Sequence, residues 1–193
     1  MKTRIINVEE FKAILTTIDT GFTYKVNGTD KKFRANSRVK LALMLEGNLG
    51  IRIGDIVSLT LKSFRNNGNG IILDIVEEKT GKNRTFAVPM EIYNIIKIYS
   101  LENGIGADGK LFELTERAIQ KQLKIVCQYL GLDDVSTHSF RKFYANEIFN
   151  NNHQNIELVR TLLQHSTIAI TQKYLGVSSK EIEEAISNHV HIV

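Results

Sequence analysis

Apolar residues recur at helical spacing along much of the chain. Val8, Phe11, Leu15 and Ile18 fall on one face of a helix over residues 8–18. Asn7 is placed to cap it, and Glu9 and Glu10 sit in its first turn, where the helix dipole favours acids. Residues 19–34 are polar and contain glycine, and a loop is expected there. Residues 35–47 predict a second helix with Val39, Leu41, Ala42, Leu43 and Leu45 largely buried, punctuated by Gly47 and Gly50. A short helix is expected from Ile53 to Leu59. The period then changes. Residues 71–76 are apolar and β-branched, residues 84–88 are their partner strand, and the turn between runs Lys79-Thr80-Gly81-Lys82-Asn83. Helical patterns resume at about 90–100, 115–130, 138–151, 155–164, 166–174 and 179–189, the last with Ser178 and Glu181 at capping-box spacing. The sum is a mainly α fold with a small antiparallel β-sheet, of the α+β class. No stretch has linker character, so one domain is expected over residues 1–193, with an N-terminal helix and loop over 1–34 and a helical tail over 179–193.

Composition narrows the class. A chain of 193 residues with 42% hydrophobic content can bury a core without staples. Its single cysteine, Cys127, excludes an internal disulfide and sits in an apolar run, where a buried thiol of a reducing compartment is expected. No apolar run is long enough to span a bilayer, and the charged start Met1-Lys2-Thr3-Arg4 has no apolar signal core behind it. The expected setting is the cytoplasm, with no membrane partner. The net charge of +4 is modest, but basic residues cluster at 31–40, at Lys79, Lys82 and Arg84, and at Arg141 and Lys142. Such clustering offers a polyanion one favoured face, although solvated surface charge accounts for it equally well.

Six residues in four segments are candidates for chemistry: Arg52, Lys79, His138, Arg141, His165 and Tyr174. His138 and Arg141 lie three apart on a helix and share a face, where they can grip one phosphate, with Ser136 or Thr137 as cap. Arg52 follows a glycine, and Asp55 three residues on can hold its guanidinium. Lys79 sits at a hairpin tip, and Tyr174 lies nine residues after His165. Each alone has a plain explanation: a surface arginine, a structural ion pair, a turn lysine, a half-buried spacer tyrosine. The five histidines form no ligand cluster, and His189 and His191 read as part of a frayed terminus. No metal or cofactor is expected.

The order of the segments carries more than any one of them. Leu49-Gly50-Ile51-Arg52-Ile53-Gly54-Asp55, Lys79-Thr80-Gly81-Lys82-Asn83-Arg84-Thr85, His138-Ser139-Phe140-Arg141-Lys142 and the run from Leu162 to Tyr174 resemble, in register, the boxes of the tyrosine recombinase (phage integrase) family. Two departures stand out. Gln164 replaces the usual glycine before His165, and Asn48-Leu49-Gly50 lacks the usual threonine-glycine pair. The resemblance implies a catalytic-domain fold of that family and a site-specific recombinase. In that scheme Tyr174 attacks a DNA phosphodiester to give a 3′-phosphotyrosyl enzyme. Arg52 and Arg141 clamp the non-bridging oxygens, and Lys79 protonates the leaving 5′-oxygen, with Lys82 a rival. His138 helps deprotonate Tyr174 or binds the phosphate, His165 hydrogen-bonds a scissile oxygen, and Asp55 orients Arg52. Lys40, Lys82, Arg84 and Lys142 are the expected DNA contacts. The implied partners are double-stranded DNA and three further copies on paired sites, with a monomer away from DNA. An apolar stripe, Ile182, Ile186 and Val190, is expected either to dock on a neighbouring protomer or to pack on its own core. The family's N-terminal core-binding domain is not evident in this chain. The same fold also serves type IB topoisomerase-like nicking, and a catalytically silent DNA-binding regulator is the other alternative.

Overall fold

The computed structural model describes residues 3–175. The predicted helix over 179–189, its capping pair and the apolar stripe lie outside the described residues. Helix α1 (Val8–Thr20) starts as expected at Asn7, whose side chain accepts from the Glu10 amide while the Glu10 carboxylate accepts from the Asn7 amide. Arg4 ties down the same carboxylate at 2.7 Å.

Residues 19–34 are not the expected loop. Strands β1 (Phe22–Val26) and β2 (Thr29–Phe33) form an antiparallel hairpin there, with Phe22 opposite Phe33 and Val26 opposite Thr29. The turn is Asn27-Gly28, both at positive φ (51° and 77°), which is the backbone a tight two-residue hairpin needs. Phe22 stacks on Phe33 and on Tyr129.

Helix α2 (Ser37–Leu49) is capped by Asn36, and α3 (Ile53–Val57) follows directly. The second sheet has three antiparallel strands rather than two: β3 (Phe64–Asn66), β4 (Ile71–Val76) and β5 (Asn83–Val88). The β4–β5 turn falls on residues 77–82, where the Glu77 amide donates to the Lys82 carbonyl at 2.9 Å. Helices α4 (Met90–Glu102), α5 (Glu116–Leu130), α6 (Thr137–Asn151), α7 (Ile156–Leu163) and α8 (Ile168–Leu175) match the predicted segments within a few residues. The class is therefore mainly α with small antiparallel sheets, two among the described residues.

The chain divides into two compact units, residues up to 144 and residues from 145 onward. The first holds the main core: Ile14 and Ile18 of α1, Val39, Leu43 and Leu45 of α2, Ile119 and Leu123 of α5, and Phe140 of α6 are all essentially inaccessible. Cys127 joins it as a buried thiol, pushed up to about 12 by burial. In the second unit α7 and α8 pack on each other, with Val159, Leu163 and Leu175 buried.

Candidate active site

In the first unit, the end of α2 sets the geometry. Gly50 caps that helix in the left-handed region (φ 57°), and a Cβ at this position would run into the Tyr144 ring. The turn at Gly50 leaves Arg52 extended at the head of α3. The buried Gly50 carbonyl then collects arginines: Arg84 Nη1 donates to it at 3.1 Å, and Arg141 Nη1 donates to it as well. Arg84 Nη2 also reaches the Leu49 carbonyl at 3.3 Å.

Glu77, at the start of the β4–β5 turn, joins this layer. Its carboxylate accepts from Arg52 Nη1 at 2.6 Å, from Thr80 Oγ1 at 2.9 Å and from Arg84 Nη1 at 3.3 Å, and its side chain is fully buried. Burial alone would raise its pKa. The hydrogen bonds from Arg52 and Thr80 and the charges of Arg52 and Arg84 outweigh that, and hold the carboxyl below its ordinary value. Burial and the nearby Arg141 charge bring Arg84 down to about 10.

Two expectations are corrected here. Asp55 does not orient Arg52: its Oδ1 accepts from the Glu78 amide at 2.8 Å, and Glu77 takes the guanidinium instead. The reason is that Asp55 is turned inward on α3, whereas the β4–β5 turn delivers Glu77 directly to Arg52. Arg84 is not a surface DNA contact either. It is 3% exposed and spends its donors on Glu77 and two carbonyls, because every second residue of β5 faces inward. The other expected DNA contacts keep their side chains at least partly open. Lys82 is exposed on the turn, Lys40 pairs with Asp19 at 2.6 Å, and Lys142 donates to the Thr3 carbonyl at 2.6 Å.

Arg52, Lys79 and His138 line one pocket of about 600 Å³, together with Glu46, Asp55 and Gln120. Arg141 is 1% exposed, and its charge acts on both His138 and Glu46. His138 heads α6 and is exposed to solvent. Its pKa is pushed down to about 4, first by the burial of its ring and then by Arg141, Lys142, Arg52 and Lys79. At neutral pH it is therefore an uncharged imidazole, able to accept a proton. Glu46 was not anticipated from the sequence. It is 1% exposed, although the acid within the apolar run of α2 was a visible signal.

In the second unit, Asn155 caps α7, and Gln164 ends it in the left-handed conformation (φ 54°) that glycine adopts more readily. The turn throws His165 inward. Its amide donates to the Arg160 carbonyl at 3.0 Å, Arg160 Nη1 returns a bond to the His165 carbonyl at 3.0 Å, and Glu157 grips the same guanidinium. His165 Nδ1 lies 3.1 Å from the hydroxyl of buried Thr171. The Tyr174 ring meets the His165 ring edge-on, with centroids 4.7 Å apart, and remains partly accessible. The structure thus gathers Arg52, Lys79, His138 and Arg141 in one unit and pairs His165 with Tyr174 in the other. Among the described residues no group of three or more His, Cys, Asp or Glu side chains is arranged to hold a metal, and no helix is long and apolar enough to cross a membrane.

This fold is that of tyrosine recombinase catalytic domains. The catalytic domain of bacteriophage HP1 integrase matches over 97% of this chain and 95% of its own (TM-score 0.64, 18% identity). The XerH recombinase in a pre-cleavage complex with its difH substrate matches over 96% of this chain and 54% of its own (TM-score 0.67, 20% identity). The phage integrase family profile matches residues 5–181, and the chain belongs to that family. Among curated relatives, tyrosine recombinase XerC of Bradyrhizobium diazoefficiens is 26% identical over 148 residues, 72% of this chain and 46% of the relative. The probable integrase/recombinase YoeC of Bacillus subtilis is 27% identical over 138 residues, 67% of this chain and 72% of the relative. The chain spans about half the length of the XerC relative.

Proposed function

We propose that this chain is the catalytic domain of a site-specific DNA recombinase that cuts and rejoins DNA through Tyr174. The observation that carries this is the pocket lined by Arg52, Lys79 and His138, with the charge of buried Arg141 acting on His138, in a family member whose Tyr174 is partly accessible and set against His165. The Tyr174 phenol oxygen attacks the phosphorus, and the bond to the 5′-oxygen breaks. The neutral His138 imidazole helps take the phenolic proton or binds the phosphate, and Lys79, with Lys82 its rival, supplies a proton to the departing 5′-oxygen. Arg52 and Arg141 take the charge that gathers on the non-bridging oxygens, and His165 donates to a scissile oxygen. The phosphotyrosyl ester conserves the energy of the broken bond, so an incoming 5′-hydroxyl reverses the step on a new strand. Double-stranded DNA is the partner, and strand exchange takes four copies on two paired sites. Lys82 and Lys142 add phosphate contacts that weaken with salt.

The test is a nicked suicide duplex incubated with the protein and resolved on a denaturing gel. Wild type traps a covalent adduct, and Tyr174→Phe abolishes it while DNA binding persists. An adduct surviving in that variant refutes the assignment of the nucleophile. Binding without any adduct from wild type refutes the recombinase reading. Supercoil relaxation on DNA lacking a recombination site redirects it to a topoisomerase.

A further inference from the structure

The pocket beside Arg52 is unusually acidic for a place that receives phosphate. Glu46 of α2, Asp55 of α3, Glu78 of the β4–β5 turn and Glu116 at the head of α5 all line it, against the cations Arg52 and Lys79 and the neutral His138. The Glu78 and Glu116 carboxylates both approach Gly54. Glu46 differs from the other three in its burial. It is 1% exposed, and its Oε2 has no hydrogen-bond partner among the described residues. A buried carboxylate oxygen left without a donor is costly as an anion and cheap as an acid, which can keep its proton.

We propose that Glu46 stands in this pocket as a neutral carboxylic acid and acts as a proton-linked gate on anion binding. Protonated, it leaves Arg141 and Arg52 to an incoming phosphodiester and has a hydroxyl to donate. Ionised, it competes with the phosphodiester for Arg141 and repels it. The inference rests on reading the pocket as a phosphate site, and it adds a control that this reading does not contain. The titratable and charged groups that share the pocket with Glu46 or act on it are Arg141 and the neutral His138 of α6, Arg52 and Asp55 of α3 and its cap, Glu78 and Lys79 of the turn, and Glu116 of α5. Burial is the largest influence and raises its pKa well above the ordinary value. The Arg141 charge and the Ile53 amide pull it down, and Glu116 pushes it up, without reversing that balance.

The experiment uses sulfate, whose charge is constant over the range, and a short duplex, whose phosphodiesters each keep one charge. Dissociation constants are measured from about pH 5 to about pH 9, which covers the range of documented buried glutamates. Wild type is expected to weaken by about tenfold or more as pH rises, since a unit charge is added beside the anion. Glu46→Gln, which keeps the shape and cannot ionise, should bind at high pH as wild type does at low pH, with that slope gone. Glu116→Gln removes a like charge and should move the slope to lower pH without abolishing it. This variant keeps the idea testable should Glu46→Gln fold poorly. A Glu46→Gln protein with the wild-type slope, or a wild type with no slope, overturns the proposal. Neither titration requires DNA cleavage, so the recombinase reading fails separately, in the adduct assay, while absence of sulfate binding at any pH removes the phosphate pocket itself.

Discussion

Removing Glu77 tests the buried charge layer most directly. The carboxylate is fully buried and pairs with Arg52 at 2.6 Å and Arg84 at 3.3 Å. The two arginines will not suffer equally from Glu77→Ala. Arg52 is 26% exposed in its side chain and can turn to water, whereas Arg84 is 4% exposed and cannot. Breaking a buried pair costs about 3–5 kcal/mol, because the surviving charge is left uncompensated. Arg84 keeps its bonds to the Leu49 and Gly50 carbonyls, which argues for the lower end, about 3 kcal/mol. Glu77→Gln keeps an acceptor but not the charge, and about 1–3 kcal/mol is expected. Against a total of about 5–15 kcal/mol for a domain, either loss is easily read. Urea unfolding at neutral pH should show a lower midpoint at unchanged slope. The pH dependence has a definite sign. The folded-state pKa of Glu77 lies below its unfolded value, so its contribution is complete above that unfolded value and is lost as pH falls through the folded one. Both variants should lack this acid-side loss. A Glu77→Ala protein within about 1 kcal/mol of wild type would show that the layer is not energetically coupled, and the reasoning would be wrong.

Other consequences follow from single residues. Gly50→Ala forces a Cβ into the Tyr144 ring at a left-handed position and should cost about 2–4 kcal/mol in the same unfolding assay. Gln164→Gly relieves left-handed strain at the end of α7 at some entropic cost, and should raise stability by up to about 1 kcal/mol, visible as a higher melting temperature. The His138 ring protons, followed by NMR, should titrate near 4, and a midpoint at or above the ordinary value of 6.5 would refute the electrostatic picture. Because that pKa is lowered on folding, His138 destabilises the fold progressively as pH falls from 6.5 toward 4, and His138→Gln should remove that part of the acid sensitivity.

The helices were legible from period and caps alone. Asn7 caps α1 as predicted, the β4–β5 turn falls where the glycine and polar run required it, and Cys127 is buried. The hairpin at 22–33 was legible too, in the alternation of Phe22, Tyr24 and Val26 ahead of Asn27-Gly28, but the polar composition of the segment outweighed that signal. The family could also be named, since four short boxes in one order carry its pattern.

Tertiary structure decided which charge meets which. Helical spacing offered Asp55 to Arg52, yet the partner is Glu77, 25 residues away in sequence, because a hairpin turn folds back onto α3. Arg84 read as a surface cation and is buried, and Glu46, which the sequence did not single out, is enclosed. Periodicity and capping are local and are written in neighbouring residues. The energy of a charge depends instead on its burial and on groups brought close only by the fold, so its role emerges when the chain is packed.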